Sequence, residues 1–94
     1  MALSEQTIYE RIRRVPAGFV TTYGDLSPGA PRHAGRILSR NESPNDVPWW
    51  RVVRSDGSWP KGKEQRARLL EEDVPIRGQR VVMSEARIPP EAIL

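Results

Sequence analysis

The sequence contains no cysteine and a single histidine, His33. Without a thiol there is no disulfide, no thiolate metal site and no cysteine nucleophile. One imidazole does not make a zinc site by itself, so neither a metal nor a cofactor is expected. No apolar run reaches the length of about 18 residues that a membrane-spanning helix needs. The first residues, MALSEQTIYERIRR, lack the apolar core of a secretory signal. Together these absences predict a soluble protein that works inside the cell, in the cytoplasm, and at the nucleoid if the cell is prokaryotic.

The 94 residues suit one small domain, expected to span 1–94 with an irregular tail from about residue 84. A chain this short buries only about 60–65% of its unfolded surface, so its core should be thin. Hydrophobic residues make up 37% and charged ones 29%, which is polar but not disordered in character. The net charge is +3, and its placement matters more than its size. Residues 32–40 hold Arg32, His33, Arg36 and Arg40 and no acid. A basic stripe on one element is a usual mark of nucleic-acid binding. On charge alone, a solvated helix face explains that stripe better.

Apolar spacing places the elements. Ile8, Ile12 and Val15 fall on one helical stripe over residues 5–15. Ser4 suits its N-cap, Leu3 could staple onto Ile8, and Pro16 and Gly18 end the helix. Phe19-Val20-Thr21 reads as extended. Thr22 then caps a second short helix, with Asp25 in place of the capping-box glutamate. After the turn Ser27-Pro28-Gly29-Ala30, Pro31 suits the first position of a third helix reaching about Arg40. On it, Ala34, Ile37 and Leu38 share one arc, and Arg32, His33, Arg36, Ser39 and Arg40 the opposite one. Asn41 to Asp46 is a polar loop. Two adjacent tryptophans, Trp49 and Trp50, cannot both face a core from an extended segment. Arg51-Val52-Val53-Arg54 reads as a strand, and Ser55-Asp56-Gly57-Ser58 as a turn leading to Trp59, which gives a small hairpin. Gln65–Glu72 is a helix carrying Leu69 and Leu70, and Arg80–Met83 a last short strand. The expected class is mainly α with a small β-hairpin, in a winged helix-turn-helix order.

Three segments, in this order and spacing, resemble the DNA-binding domain of the O6-alkylguanine-DNA alkyltransferases. They are Gly18-Phe19-Val20-Thr21-Thr22-Tyr23-Gly24-Asp25, Pro31-Arg32-His33-Ala34-Gly35-Arg36-Ile37-Leu38, and Asn41 followed by Val47-Pro48-Trp49-Trp50-Arg51-Val52-Val53. Gln65-Arg66, Leu69-Leu70, Glu72 and Val74 also fit, so the resemblance covers about residues 5–76. The family's third motif is Pro-Cys-His-Arg, whose cysteine takes the alkyl group. Trp49 stands at the cysteine position here, as in the alkyltransferase-like proteins. That resemblance implies flipping of damaged guanines without dealkylation, and flagging of the lesion for nucleotide excision repair. Two departures are visible: Trp50 replaces the motif's histidine, and the turn between Tyr23 and Arg32 is short.

The resemblance also assigns roles. Arg32 matches the arginine finger that fills the hole left by a flipped nucleotide, for which a flat guanidinium is well suited. Tyr23 matches the tyrosine that crowds the flipped nucleotide's phosphate. Trp49 would wall the lesion pocket, with Tyr23 and Val52 beside it. Trp50 has two readings, a second wall or packing beneath the basic helix. Thr21, Thr22, Tyr23, Gly35, Arg36, Ser39, Arg40 and Arg51 are DNA-contact candidates, Asn41 is a structural hinge, and Glu72 is structural. The implied partners are double-stranded DNA containing O6-alkylguanine and nucleotide excision repair proteins, bound by a monomer with no membrane association. A non-enzymatic lesion binder is therefore expected. The alternative is a winged-helix regulator that reads one undamaged sequence through the major groove.

Overall fold

In the computed structural model, residues 3–40 and 43–94 are described. Ser4 starts the first helix: its hydroxyl accepts from the Thr7 N–H at 3.1 Å and satisfies one first-turn donor. Helix α1, Glu5–Arg13, then turns Ile8, Tyr9 and Ile12 inward. It stops two residues short of Val15, which is nonetheless fully buried, and Leu3 packs on the same cluster.

Strand β1, Thr21–Thr22, leads straight into helix α2, Tyr23–Leu26. Thr22 Oγ1 accepts from the Asp25 N–H at 3.1 Å, the expected cap. The reciprocal half of the box is not made. Asp25 turns its carboxylate to Arg87, at 2.9 Å from Nε and 2.7 Å from Nη2. Helix α3, Pro31–Ser39, packs against α2 and buries Ala34, Ile37 and Leu38 while Arg32 and Arg36 stay in water.

The hairpin expected after α3 is not where its turn signal suggested. Strand β2, Val52–Val53, pairs in parallel with β1, Thr21 opposite Val52 and Thr22 opposite Val53. The Ser55–Ser58 turn forms, with the Arg54 N–H donating to Ser58 O at 2.9 Å, but no strand follows it through Trp59. Both valines are fully buried, one against each of the two core clusters, and edge-on pairing to β1 achieves that. The antiparallel hairpin lies later, between β3, Ile76–Arg77, and β4, Arg80–Val81. Gly57 fits its turn at φ +88°, where a Cβ would stand 2.5 Å from Val81 O. That close approach couples the first turn to the second hairpin.

Helix α4, Gly62–Glu71, starts three residues before the expected Gln65. Leu69 is buried and Leu70 exposed. The tail is ordered rather than irregular. Helix α5, Met83–Ala86, and a 3₁₀ turn, Pro90–Ile93, follow β4. Ala86 and Ile93 are fully buried, and Arg14 Nη1 donates to Ile93 O at 3.0 Å. Isolated apolar residues between polar ones give no helical or strand period, which is why the tail read as irregular. The fold is thus mainly helical with small strands.

One side chain ties the halves together. Arg51 Nε donates to Glu72 Oε1 at 2.9 Å, Nη2 bonds the other carboxylate oxygen, and Nη1 donates to Val15 O at 2.8 Å. Both partners are 15% exposed. Burial alone would raise the Glu72 carboxyl, but the hydrogen bonds and charge of Arg51 outweigh it and hold it below its ordinary 4.5. A depressed carboxyl contributes stability that is complete above the unfolded value and is lost as pH falls through the folded one. Urea unfolding should therefore show a midpoint that is flat near neutrality and drops below about pH 4.5. Glu72→Gln should cost about 2–3 kcal/mol at pH 7 and flatten that acid limb, since it leaves a charged donor poorly matched. An unchanged midpoint would mean the pair is not structural.

Candidate nucleic-acid interface

The exposed face of α3 carries Arg32, Arg36 and Ser39, and Arg40 follows as its extended C-cap. Among the described residues, Arg32 and Arg36 pair with no carboxylate. Arg40 Nη1 lies 3.5 Å from Glu5 across an exposed pair, an interaction worth little in water. His33 does not share this face as expected. It is half-buried, and its Nε2 bonds Leu3 O, pinning the start of the chain to α3.

Three open clefts run beside this face. The first, about 400 Å³, is bordered by Tyr23, Gly24, Pro31, Arg32, Arg54 and Ser55. The second, about 300 Å³, shares Tyr23 and Arg54 and adds Gly35, Ser39, Pro60 and Lys61. The third, about 420 Å³, shares Lys61 and adds Leu38, Arg40, Ser43, Trp49 and Glu64. The shared residues make them one connected surface from Arg32 to Trp49.

Tyr23 sits at the middle because Thr22 starts α2 there. Burial pushes its hydroxyl up, and the nearby Arg54 charge opposes this. Gly35 faces it; a Cβ at that position would make ordinary contact at 3.9 Å, so the missing side chain mainly leaves the cleft open. Lys61 Nζ donates to Leu38 O at 2.9 Å, a cation on the carbonyl end of α3.

The structure draws several expected contact residues inward. Val52 is fully buried in the first core cluster and borders none of the three clefts. Thr21 is fully buried, with no hydrogen-bond partner for Oγ1, and Thr22 is 4% exposed and occupied with its cap. Arg51 is held by Glu72 and Val15 and points away from solvent. Trp49 and Trp50 escape the conflict foreseen for an extended segment by forming a 3₁₀ turn, Trp49–Arg51. Trp49 packs on the first cluster and borders the third cleft, whereas Trp50 packs on the second cluster and borders none of the three. Asn41 lies outside the described residues. Arg54 and Lys61 belong to none of the motif segments. Both flank turn residues, Ser55-Asp56-Gly57 and Pro60 with Gly62, and a cation beside a turn signal was the cue available.

Comparison with known proteins gives this geometry a context. The family model described as "6-O-methylguanine DNA methyltransferase, DNA binding domain" matches residues 4–74. A "DNA base-flipping protein" of Escherichia coli K12 is 37% identical over 82 residues, which is 78% of this chain and 64% of that protein. This chain thus spans less than two thirds of that relative. A "Methylated-DNA--protein-cysteine methyltransferase" of Methanothermobacter thermautotrophicus is 35% identical over 82 residues, 80% of this chain and 47% of that one. Among solved structures, S. pombe Atl1 in complex with damaged DNA containing O6-carboxymethylguanine superposes with a TM-score of 0.80 at 26% identity. That match covers 92% of this chain and 94% of Atl1. On the extent of the family match, this chain belongs to the DNA-binding-domain family of 6-O-methylguanine DNA methyltransferase.

Proposed function

We propose that this chain binds O6-alkylguanine in duplex DNA, rotates the base out of the stack into the cleft beside Trp49, and leaves the alkyl group in place. Trp49 carries the reading. It borders a cleft of about 420 Å³ next to the basic helix, at the position where the alkyltransferases hold their nucleophile. Alkyl transfer needs a soft, activated nucleophile, and the chain has no cysteine. An indole offers instead a stacking face for the base and apolar surface for the alkyl group, worth about 1–3 kcal/mol per base.

In this reading α2 and α3 act as the helix-turn-helix of a winged helix-turn-helix, and α3 docks in the minor groove. Arg32, at the free end of α3, fills the vacated stack and bonds the orphaned base. Tyr23, between the Arg32 and Lys61 clefts, crowds the rotated phosphate. Arg36, Ser39, Arg40, Arg54 and Lys61 take backbone phosphates, which position the protein without reading sequence. The relatives named for base flipping and the Atl1 complex with damaged DNA support this assignment. The monomer bound to its lesion is then the signal that nucleotide excision repair proteins read, in the cytoplasm or at the nucleoid.

Fluorescence anisotropy with two duplexes differing only in one guanine, plain or O6-methylated, tests the reading. Tighter binding to the methylated duplex is expected, with the methyl group intact by mass spectrometry after incubation. Equal affinities would favour a regulator of undamaged sequence, and methyl loss would make the protein an enzyme. Log affinity for either duplex should fall with log salt at a slope of about −0.9 per phosphate neutralised; a flat response would rule out the basic face. Arg32→Ala should weaken lesion binding by about 5- to 150-fold, corresponding to roughly 1–3 kcal/mol. Unchanged lesion affinity in that variant would remove Arg32 as the finger.

A further inference from the structure

Trp50 and Arg68 have no part in the function described so far, yet they meet the one residue on which it turns. Trp49 and Trp50 stand edge to face, with ring centroids 5.9 Å apart and planes at 87°. The Arg68 guanidinium lies in the corner between them, 4.8 Å from the Trp50 centroid and 5.7 Å from that of Trp49. Arg51 approaches Trp50 as well, at 5.5 Å. Arg68 itself does not border the Trp49 cleft, but its ion-pair partner Glu64 does, at 3.6 Å from Nη2.

We propose that Arg68 is a positioning residue that locks Trp49 as the wall of the cleft, with Trp50 as its second anchor. The reason lies in how the tryptophans are held. Both sit on a three-residue 3₁₀ turn, too short to fix their rings by helix packing. Both are only partly buried, so the core does not fix the rings on its own. A cation over two ring faces sets the ring planes, because its attraction to the quadrupole depends on its place over the face. Edge-to-face geometry then transmits the Trp50 position to Trp49. Arg68 is on α4, whose Gln65 Nε2 donates to Trp50 O at 3.1 Å and to Val52 O at 2.8 Å, so α4 grips the backbone of the same turn. The helix thus holds the turn by its main chain through Gln65 and the rings through Arg68. A preset wall binds a stacked base more tightly because its ordering cost is met before binding.

The inference rests on the lesion-binding reading, and wild type measured in the same series separates the two. If wild type shows no preference for the O6-methylated duplex, that reading fails. If it shows one, Arg68→Met tests the positioning role. Met keeps length and apolar contact and removes the cation. The expected result is a loss of about 5-fold or more in the ratio of lesion to plain-duplex affinity, with plain-duplex affinity changed less than about twofold. Near-UV circular dichroism, which reports the coupled indoles, should weaken, while the far-UV spectrum and midpoint temperature stay close to wild type. Arg68→Lys should restore part of both the ratio and the near-UV signal. An unchanged ratio in Arg68→Met overturns the proposal. So does an equal loss on both duplexes, which would make Arg68 a phosphate contact. If Arg68→Met proves unstable, Trp50→Leu replaces it. Retention of the wild-type ratio there would also overturn the proposal.

Discussion

The Arg51 guanidinium joins three parts of the chain that lie far apart in sequence. It reaches the carbonyl after α1, the carboxylate at the end of α4 and, through its own backbone, the 3₁₀ turn that carries both tryptophans. Two core clusters lie on either side of the β1–β2 pair, and neither is large. In a chain that buries so little surface, relative placement of the clusters cannot come from apolar contact alone. A charged donor with three directed bonds supplies it. The pairing holds the Trp49 turn against α1.

Much of the fold was legible where local chemistry acts alone. Ser4, Thr22 and Pro31 start helices as side-chain oxygens and a fixed φ dictate, and the apolar arc of α3 is buried as its period requires. Legibility failed where distant partners decide. Asp25 caps nothing because Arg87, 62 residues on, competes for its carboxylate. Val52-Val53 leaves its local hairpin because a parallel place beside Thr21-Thr22 buries both valines. Ile93 looks like tail in sequence and is core in space.

The cleft lining was legible in the same uneven way. Tyr23, Arg32, Gly35, Ser39, Arg40 and Trp49 do border the connected clefts. Thr21, Thr22, Arg51 and Val52 do not face outward, because strand pairing and the Glu72 contact claim them. A motif records which residue types recur together; it does not separate those that touch a ligand from those that hold the motif in shape. Arg54 and Lys61 show the converse. They carry no motif signal, and the fold alone brings them to the cleft rim.

The burial of Ile93 makes the first core depend on residues made far apart in time. Ile93 closes the same cluster that Ile8, Ile12 and Val15 open, so the first core cannot be completed until that residue is available. During synthesis at about 5–20 residues per second, the apolar stripe of α1 waits roughly 4–16 s for its last partner. Over that interval the nascent chain presents a sticky amphipathic helix to its surroundings. A slower-translated message would lengthen that window.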